Sequence, residues 1–371
     1  MAATIYGTNH PLAVKVWAKQ LFTEALKATK FNRFLGNTPS SLVQRRTELQ
    51  KSAGDKITIG LRLQAAGVGI TGDSVLEGNE ESLQVYSDAV LIDQLRHAFR
   101  SGGKMTQQRV LFDIREESME ALRDSWADRL DAGFFNQIGG ATVTVTGPNI
   151  TQVTSTNTAY TGNNAAIAPT ATTGLIIGGN SVTTDTTEGS LSATTTQSLV
   201  LRDIDRCVAK AKVASPMIRP LKINGDDKYV LFLHPYQVFS LRGGTNTGQW
   251  IDIQKAAMTG GQVTNNPLYT GALGEYNNCI MHEDSRVPII QTTPNSGTNT
   301  QFYRGIFCGA QAASFAVGQD NRDGAMNWVE ELFDYGNQFG VASAMIYGIK
   351  KMVFNSSDFS TIVVSSYAPA P

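Results

Sequence analysis

Gly67, Gly69 and Gly72 stand in the order G-x-G-x-x-G, the spacing that lets a backbone turn close around a pyrophosphate. Asp88 and Asp93 follow about twenty residues later, where a dinucleotide fold places its ribose-binding acid. Such a site also needs a helix opening at the third glycine, so that its N-terminus faces the phosphates. The sequence continues DSVLEGNEES, with another glycine and no apolar stripe of helical period. These glycines are read as a turn at the tip of a hairpin, and an NAD-linked oxidoreductase is the weaker reading. Gly102-Gly103-Lys104 resembles a phosphate loop, but Met105 stands where Ser or Thr is required.

The remaining candidates for chemistry are sparse. Cys279 and His282 lie three apart beside Glu283 and Asp284, yet one Cys and one His do not supply the four ligands of a structural zinc. His10, His97 and His234 have no partner at ligand spacing. The acid pairs Glu80-Glu81, Glu116-Glu117 and Glu330-Glu331 are adjacent, and neighbours at i and i+1 on a helix do not face each other. No G-x-S-x-G elbow occurs. The expectation is a protein with no catalytic residues, no cofactor and no metal.

Composition points the same way. The 371 residues carry a formal net charge of −1, without the basic surplus of a chain that grips DNA phosphates. Cys207, Cys279 and Cys308 are an odd, scattered set, which predicts reduced thiols and synthesis in the cytoplasm. The N-terminus lacks the signal-peptide pattern, and the apolar stretch from Val341 to Phe354 is cut by Lys350 and Lys351, so a soluble chain without a membrane span is expected.

The elements that would position these residues can be read from periodicity. Val14, Trp17, Ala18, Leu21, Phe22 and Ala25 predict an amphipathic helix over about 12–30, followed by a polar, irregular stretch to Asp55. Ile57, Ile59, Leu61 and Leu63 alternate with polar residues, and Leu83 to Ile92 is a second strand. Together they predict a long hairpin whose Gly-rich, acidic tip has no core of its own, and such an arm needs something to lie on. Leu111, Ile114, Leu122, Trp126, Leu130 and Phe134 mark the core face of a helix over 104–138, roughly 50 Å long if unbroken. Residues 141–196 are rich in Thr, Ser, Asn and Gly, which predicts a small β-rich insertion or a long surface loop that projects outward. Ser198 to Val213 reads as a helix, Tyr229 to Leu233 as a buried strand, and the last stretch as β. The order is α+β without a repeated βαβ unit.

Five strings carry a resemblance: GDKITIGLRLQAAGVGITGDSVLEGNEESL (54–83), IDQLRHAFRSGGKMTQQRVLFDIREES (92–118), KYVLFLHPYQVFSLR (228–242), NPLYTGALGEYNNCIMHEDSRVP (266–288) and DYGNQFGVASAMIYGIKKMVFN (334–355). Jointly they resemble the major capsid proteins of tailed bacteriophages with the Hong Kong 97-like fold, in the branch typified by certain short-tailed coliphages. The resemblance implies an N-terminal arm (1–55), an extended hairpin loop (56–100), a peripheral domain with a spine helix (101–140 and 325–371) and an axial domain (197–324); it does not extend to the β insertion read from composition at 141–196. It implies that the hairpin reaches over a neighbouring subunit, with Arg62, Gly67, Gly69, Gly72, Asp73, Glu77, Glu80 and Glu81 as assembly contacts. The implied partner is the chain itself, as hexamers and pentamers in an icosahedral shell around double-stranded DNA. Portal, scaffolding and decoration proteins are implied as further partners. A nanocompartment shell of the same fold is the alternative within this architecture, and a β-rich adhesin or tail protein the alternative outside it.

Overall fold

The computed structural model describes residues 31–50, 52–109, 113–140, 164–171, 173–179, 188, 191, 197–223, 225–243, 274–292, 300–319 and 327–368. The helix expected over 12–30 lies outside them. In chain order the main elements are β1 (Val43–Arg46), β2 (Lys56–Arg62), β3 (Val85–Leu91), β4 (Asp93–Arg100), α1 (Lys104–Arg109), α2 (Ile114–Gly139), β5 (Leu175–Ile177), α3 (Leu201–Val213), β6 (Asp226–Leu233), α4 (Pro235–Arg242), β7 (Cys279–Glu283), β8 (Ile289–Thr292), β9 (Thr300–Cys308), β10 (Ala313–Val317), β11 (Asn327–Phe333), β12 (Gln338–Lys351) and β13 (Thr361–Tyr367).

Two sheets build the body. The smaller is centred on β12, which pairs antiparallel with β10, β11 and β4, while β1 joins parallel to β10. The larger runs β5-β13-β9-β6-β7, with β8 on β9. The run YVLFL in β6 explains how the larger sheet is covered. Successive side chains point to opposite faces. Val230 and Phe232 join a core with α2, whereas Tyr229, Leu231 and Leu233 join a second core with α3 and α4. A strand buried on both faces reads as a continuous apolar run, as this one does.

α2 passes through the first core between the sheets. Asp113 caps it, its carboxylate accepting the Arg115 N–H at 2.9 Å, and Gly140 ends it in the left-handed conformation at φ 61°. Leu122, Trp126 and Leu130 are buried, and every residue from Leu130 to Gly140 is enclosed. The Trp126 indole N–H donates to the Ser343 hydroxyl on β12.

Four expectations need correction. The helix predicted over 104–138 is two helices, because Asp113 starts a new one, and α1 buries none of its side chains. The hairpin ends at Leu91, because β4 leaves it and pairs with β12 from Arg100↔Gly340 to Asp93↔Tyr347. The stretch before Asp55 is not all irregular: Leu42 and Val43 are core residues and β1 is a strand of the smaller sheet. The 141–196 segment is not a free insertion throughout. Leu175, Ile176 and Ile177 are buried in β5 beside β13, and Asn164 joins Leu91 to Gln137 through three hydrogen bonds. Sheet membership also crosses the expected boundary near 324. β10 belongs to the smaller sheet, while the near-C-terminal β13 lies in the larger one between β5 and β9.

Candidate assembly surfaces

The β2–β3 hairpin is anchored at one end and bare at the other. Lys56↔Leu91 through Arg62↔Val85 pair antiparallel, a ladder roughly 20 Å long at 3.3 Å per residue. At the root, Ile57 and Val90 pack with Leu49, Met352, Phe354 and Phe359. Asp88 takes a hydrogen bond from Lys350 and another from the Val353 N–H at 3.1 Å. Along β2 the alternation seen in sequence is seen again in exposure, with Ile57 buried and Arg62 exposed.

Beyond Arg62 the chain is irregular until Val85, and no helix follows the glycines. Gly69 and Gly72 take φ of 72° and 71°, which favours glycine, whereas Gly67 receives the Glu81 carboxylate. The Ala66 and Gly67 N–H groups donate to Glu81 at 2.8 and 2.7 Å and hold its carboxyl below the usual range. The loop therefore uses its own acid where a dinucleotide site would place phosphate. Glu80 accepts from the Gly78 N–H at 2.8 Å, and Asp73 and Glu77 point into solvent-accessible space at the tip.

Composition alone missed the apolar residues that share this tip. Val68 is 101% exposed, Leu83 71%, Val75 69% and Leu76 60%, so the described residues leave them uncovered. The signal was present in the string VGITGDSVLEGNEESL: apolar residues spaced without the period of a strand or a helix. On α2, Ile114 is half-buried and Leu111 lies outside the described residues.

The groups that suggested chemistry are absorbed by the core. Cys279 and His282 sit three apart on β7 and so face opposite sides of the sheet: Cys279 joins the α3 core, and His282 stacks on Phe232 with ring centroids 5.9 Å apart. Burial pushes all three thiols up, Cys279 to about 12, which leaves them protonated and unreactive at neutral pH. His234 caps α4, its Nδ1 accepting the Tyr236 N–H at 3.2 Å, and its ring stacks on Tyr303 at 4.4 Å. Burial lowers its pKa to about 4, against the pull of Asp284.

Buried ions are paired and join distant segments. Lys351 meets Asp358 at 2.6 Å with both side chains 1% exposed, and donates to the Ile167 carbonyl at 2.9 Å. Arg304 donates to Glu188 and to the Gly139 and Gly140 carbonyls, tying the end of α2 to the Thr-rich segment. Among the described residues no group of three or more His, Cys, Asp or Glu could hold a metal ion, and no helix is long and apolar enough to cross a membrane.

Comparison with known proteins assigns this architecture. A family model described as phage capsid protein matches residues 6–370. The chain is 30% identical over 380 aligned positions to the major capsid protein of Pseudomonas phage KPP25, covering 94% of this chain and 93% of that one. The capsid of Ralstonia phage GP4 superposes with a TM-score of 0.75 at 32% identity, covering 100% and 99% of the two chains. The capsid of cyanophage Pam1 gives a TM-score of 0.73 at 20% identity over 93% and 94%, a likeness of fold. With a closed body, a bare arm and matches that run nearly end to end, the chain belongs to the phage capsid protein family.

Proposed function

We propose that this chain is the major coat subunit of a tailed phage, assembling as hexamers and pentamers into an icosahedral shell around double-stranded DNA, with no catalytic step of its own. The observation that carries this reading is the hairpin tip. Its apolar residues find no cover among the described residues, while the body beneath is closed by two cores. Burying apolar surface contributes about 25 cal/mol per Å², so an arm of this kind is stabilised by lying on another chain. Subunits related by a rotation axis then close into rings when the contact is head-to-tail and the angle closes. The near-neutral charge supports a shell that encloses DNA without binding each phosphate. Assembly in the host cytoplasm, with portal, scaffolding and decoration proteins as further partners, fits the three buried thiols and the family.

Sedimentation velocity and electron microscopy of the chain, expressed with its phage head partners, test this. Large closed shells are expected. Monomers or small oligomers at every concentration overturn the reading.

A further inference from the structure

The β2–β3 hairpin is a two-stranded sheet, and side chains stand at its root where a third strand would pair. The Ile92 N–H donates to the Asp55 carbonyl at 2.9 Å, and the Leu63 N–H to the Gln84 carbonyl at 3.1 Å. Bonded and unbonded pairs alternate along an antiparallel ladder, so Leu91, opposite Lys56, belongs to an unbonded pair. Its N–H and carbonyl therefore point away from β2. Asn164 occupies that edge. Its Oδ1 accepts the Leu91 N–H at 3.0 Å, and its Nδ2 donates to the Leu91 carbonyl at 2.9 Å. One side-chain amide thus serves both backbone groups of Leu91, as a neighbouring strand would. The Ala89 carbonyl, next along the same edge, accepts from Lys350 at 2.9 Å.

Asn164 is itself held from behind. It is buried, and its carbonyl accepts from the enclosed Gln137 side chain on α2. A little further on, the Ile167 carbonyl accepts from Lys351, and the Thr170 N–H donates to Asp358 at 2.9 Å. β12 passes close beneath: a Cβ at Gly348 would lie 2.0 Å from the Leu91 carbonyl oxygen and 3.4 Å from Asn164 Nδ2, so only glycine leaves room there. Ile92 alone separates Leu91 from Asp93, where β4 joins β12 opposite Tyr347. The amide therefore acts at the fulcrum of a ladder roughly 20 Å long. We infer that Asn164 is a positioning residue: its amide, backed by α2 and β12, fixes the direction in which the β2–β3 arm leaves the body. The consequence for assembly rests on the shell reading, since an arm already held at one angle loses less freedom on meeting another chain.

The test uses the unassembled full-length chain with nitroxide labels at Val85→Cys on the arm and Glu120→Cys on α2, both exposed positions. Cys207, Cys279 and Cys308 are buried and stay unlabelled. Double electron–electron resonance should give one narrow distance. Asn164→Ala is expected to replace it with a broad or shifted distribution. It should leave unchanged the distance between Glu120→Cys and Asp226→Cys, which both lie on the body. Exchange of the Leu91 amide should quicken about tenfold, the factor that one hydrogen bond is worth. A general loosening of the fold would move both distances. Asn164→Asp keeps the acceptor but sets a charge against the Leu91 carbonyl, and should act as Asn164→Ala does. An unchanged 85–120 distance in either folded variant, or a change in both distances, overturns the inference. Should circular dichroism show neither variant folded, the wild type decides: one narrow distance with a protected Leu91 amide supports the inference, and a broad distribution or an unprotected amide overturns it. The folded variants should also give fewer shells in electron micrographs. Equal shell yield overturns the link to assembly, whereas failure of the wild-type chain to form shells overturns the shell reading alone.

Discussion

The β2–β3 hairpin and the β6–β9–β13 part of the larger sheet are both antiparallel β structure, yet they bury very different surfaces. In the sheet, Phe232, Ile306 and Cys308 face α2, while Leu231, Phe307 and Ile362 face α3 and α4. In the hairpin, Ile57 and Val90 are buried at the root, but Val85 near the tip is 58% exposed. The pairing is equally regular in both, so hydrogen bonding is not what separates them. What differs is the packing on each face. Among the described residues the sheet has helices on both faces, and the hairpin tip has no covering element. On the proposed function, stability of the subunit and capacity to assemble fall on different residues.

The comparison is broken most severely by emptying the body. Trp126→Ala removes a fully enclosed ring and the hydrogen bond to Ser343, and is expected to cost about 3–5 kcal/mol in urea denaturation. A loss below about 1 kcal/mol would assign Trp126 to a loose surface instead. Acid should also act on the body. His234 has a folded pKa of about 4 against an ordinary 6.5, so its stabilisation is complete above pH 6.5. As pH falls from 6.5 to 4 the unfolded chain takes up a proton that the folded one refuses, a loss approaching about 3 kcal/mol. His234→Asn retains a helix cap, and comparing its stability with that of the wild type at pH 7 and pH 4.5 should show a smaller acid loss.

Smaller effects sharpen the contrast. Asp113→Ala removes the cap of α2 and should cost about 1 kcal/mol, read as a lower denaturation midpoint. At the hairpin tip, Val75→Ser with Leu76→Ser should change subunit stability by less than about 0.5 kcal/mol, since both side chains are exposed. The same pair should reduce shell yield in electron micrographs. Equal shell yield would place the energetic contact elsewhere on the arm.

Sequence alone determined the local elements with strong period. The alternation of Ile57, Ile59 and Leu61 specified a strand with one covered face, and Leu122, Trp126 and Leu130 marked a helical stripe. The unbroken run Tyr229 to Leu233 specified a strand covered on both sides, because the period of side-chain direction and the pattern of apolar residues are both local properties. Family likeness was legible because strings spread along the chain carried it jointly. Tertiary structure decided the rest. Nothing local tells β4 to leave the hairpin and pair with β12, nearly 250 residues later, or brings Leu175 to Ile177 out of a polar segment into the larger sheet. It also decided which charges became structural: Lys351 with Asp358, and Arg304 with Glu188, are ordinary ions in sequence and buried links in the fold. Burial and strand pairing depend on contacts between residues far apart in the chain, and a periodicity measured over a few residues carries no record of them.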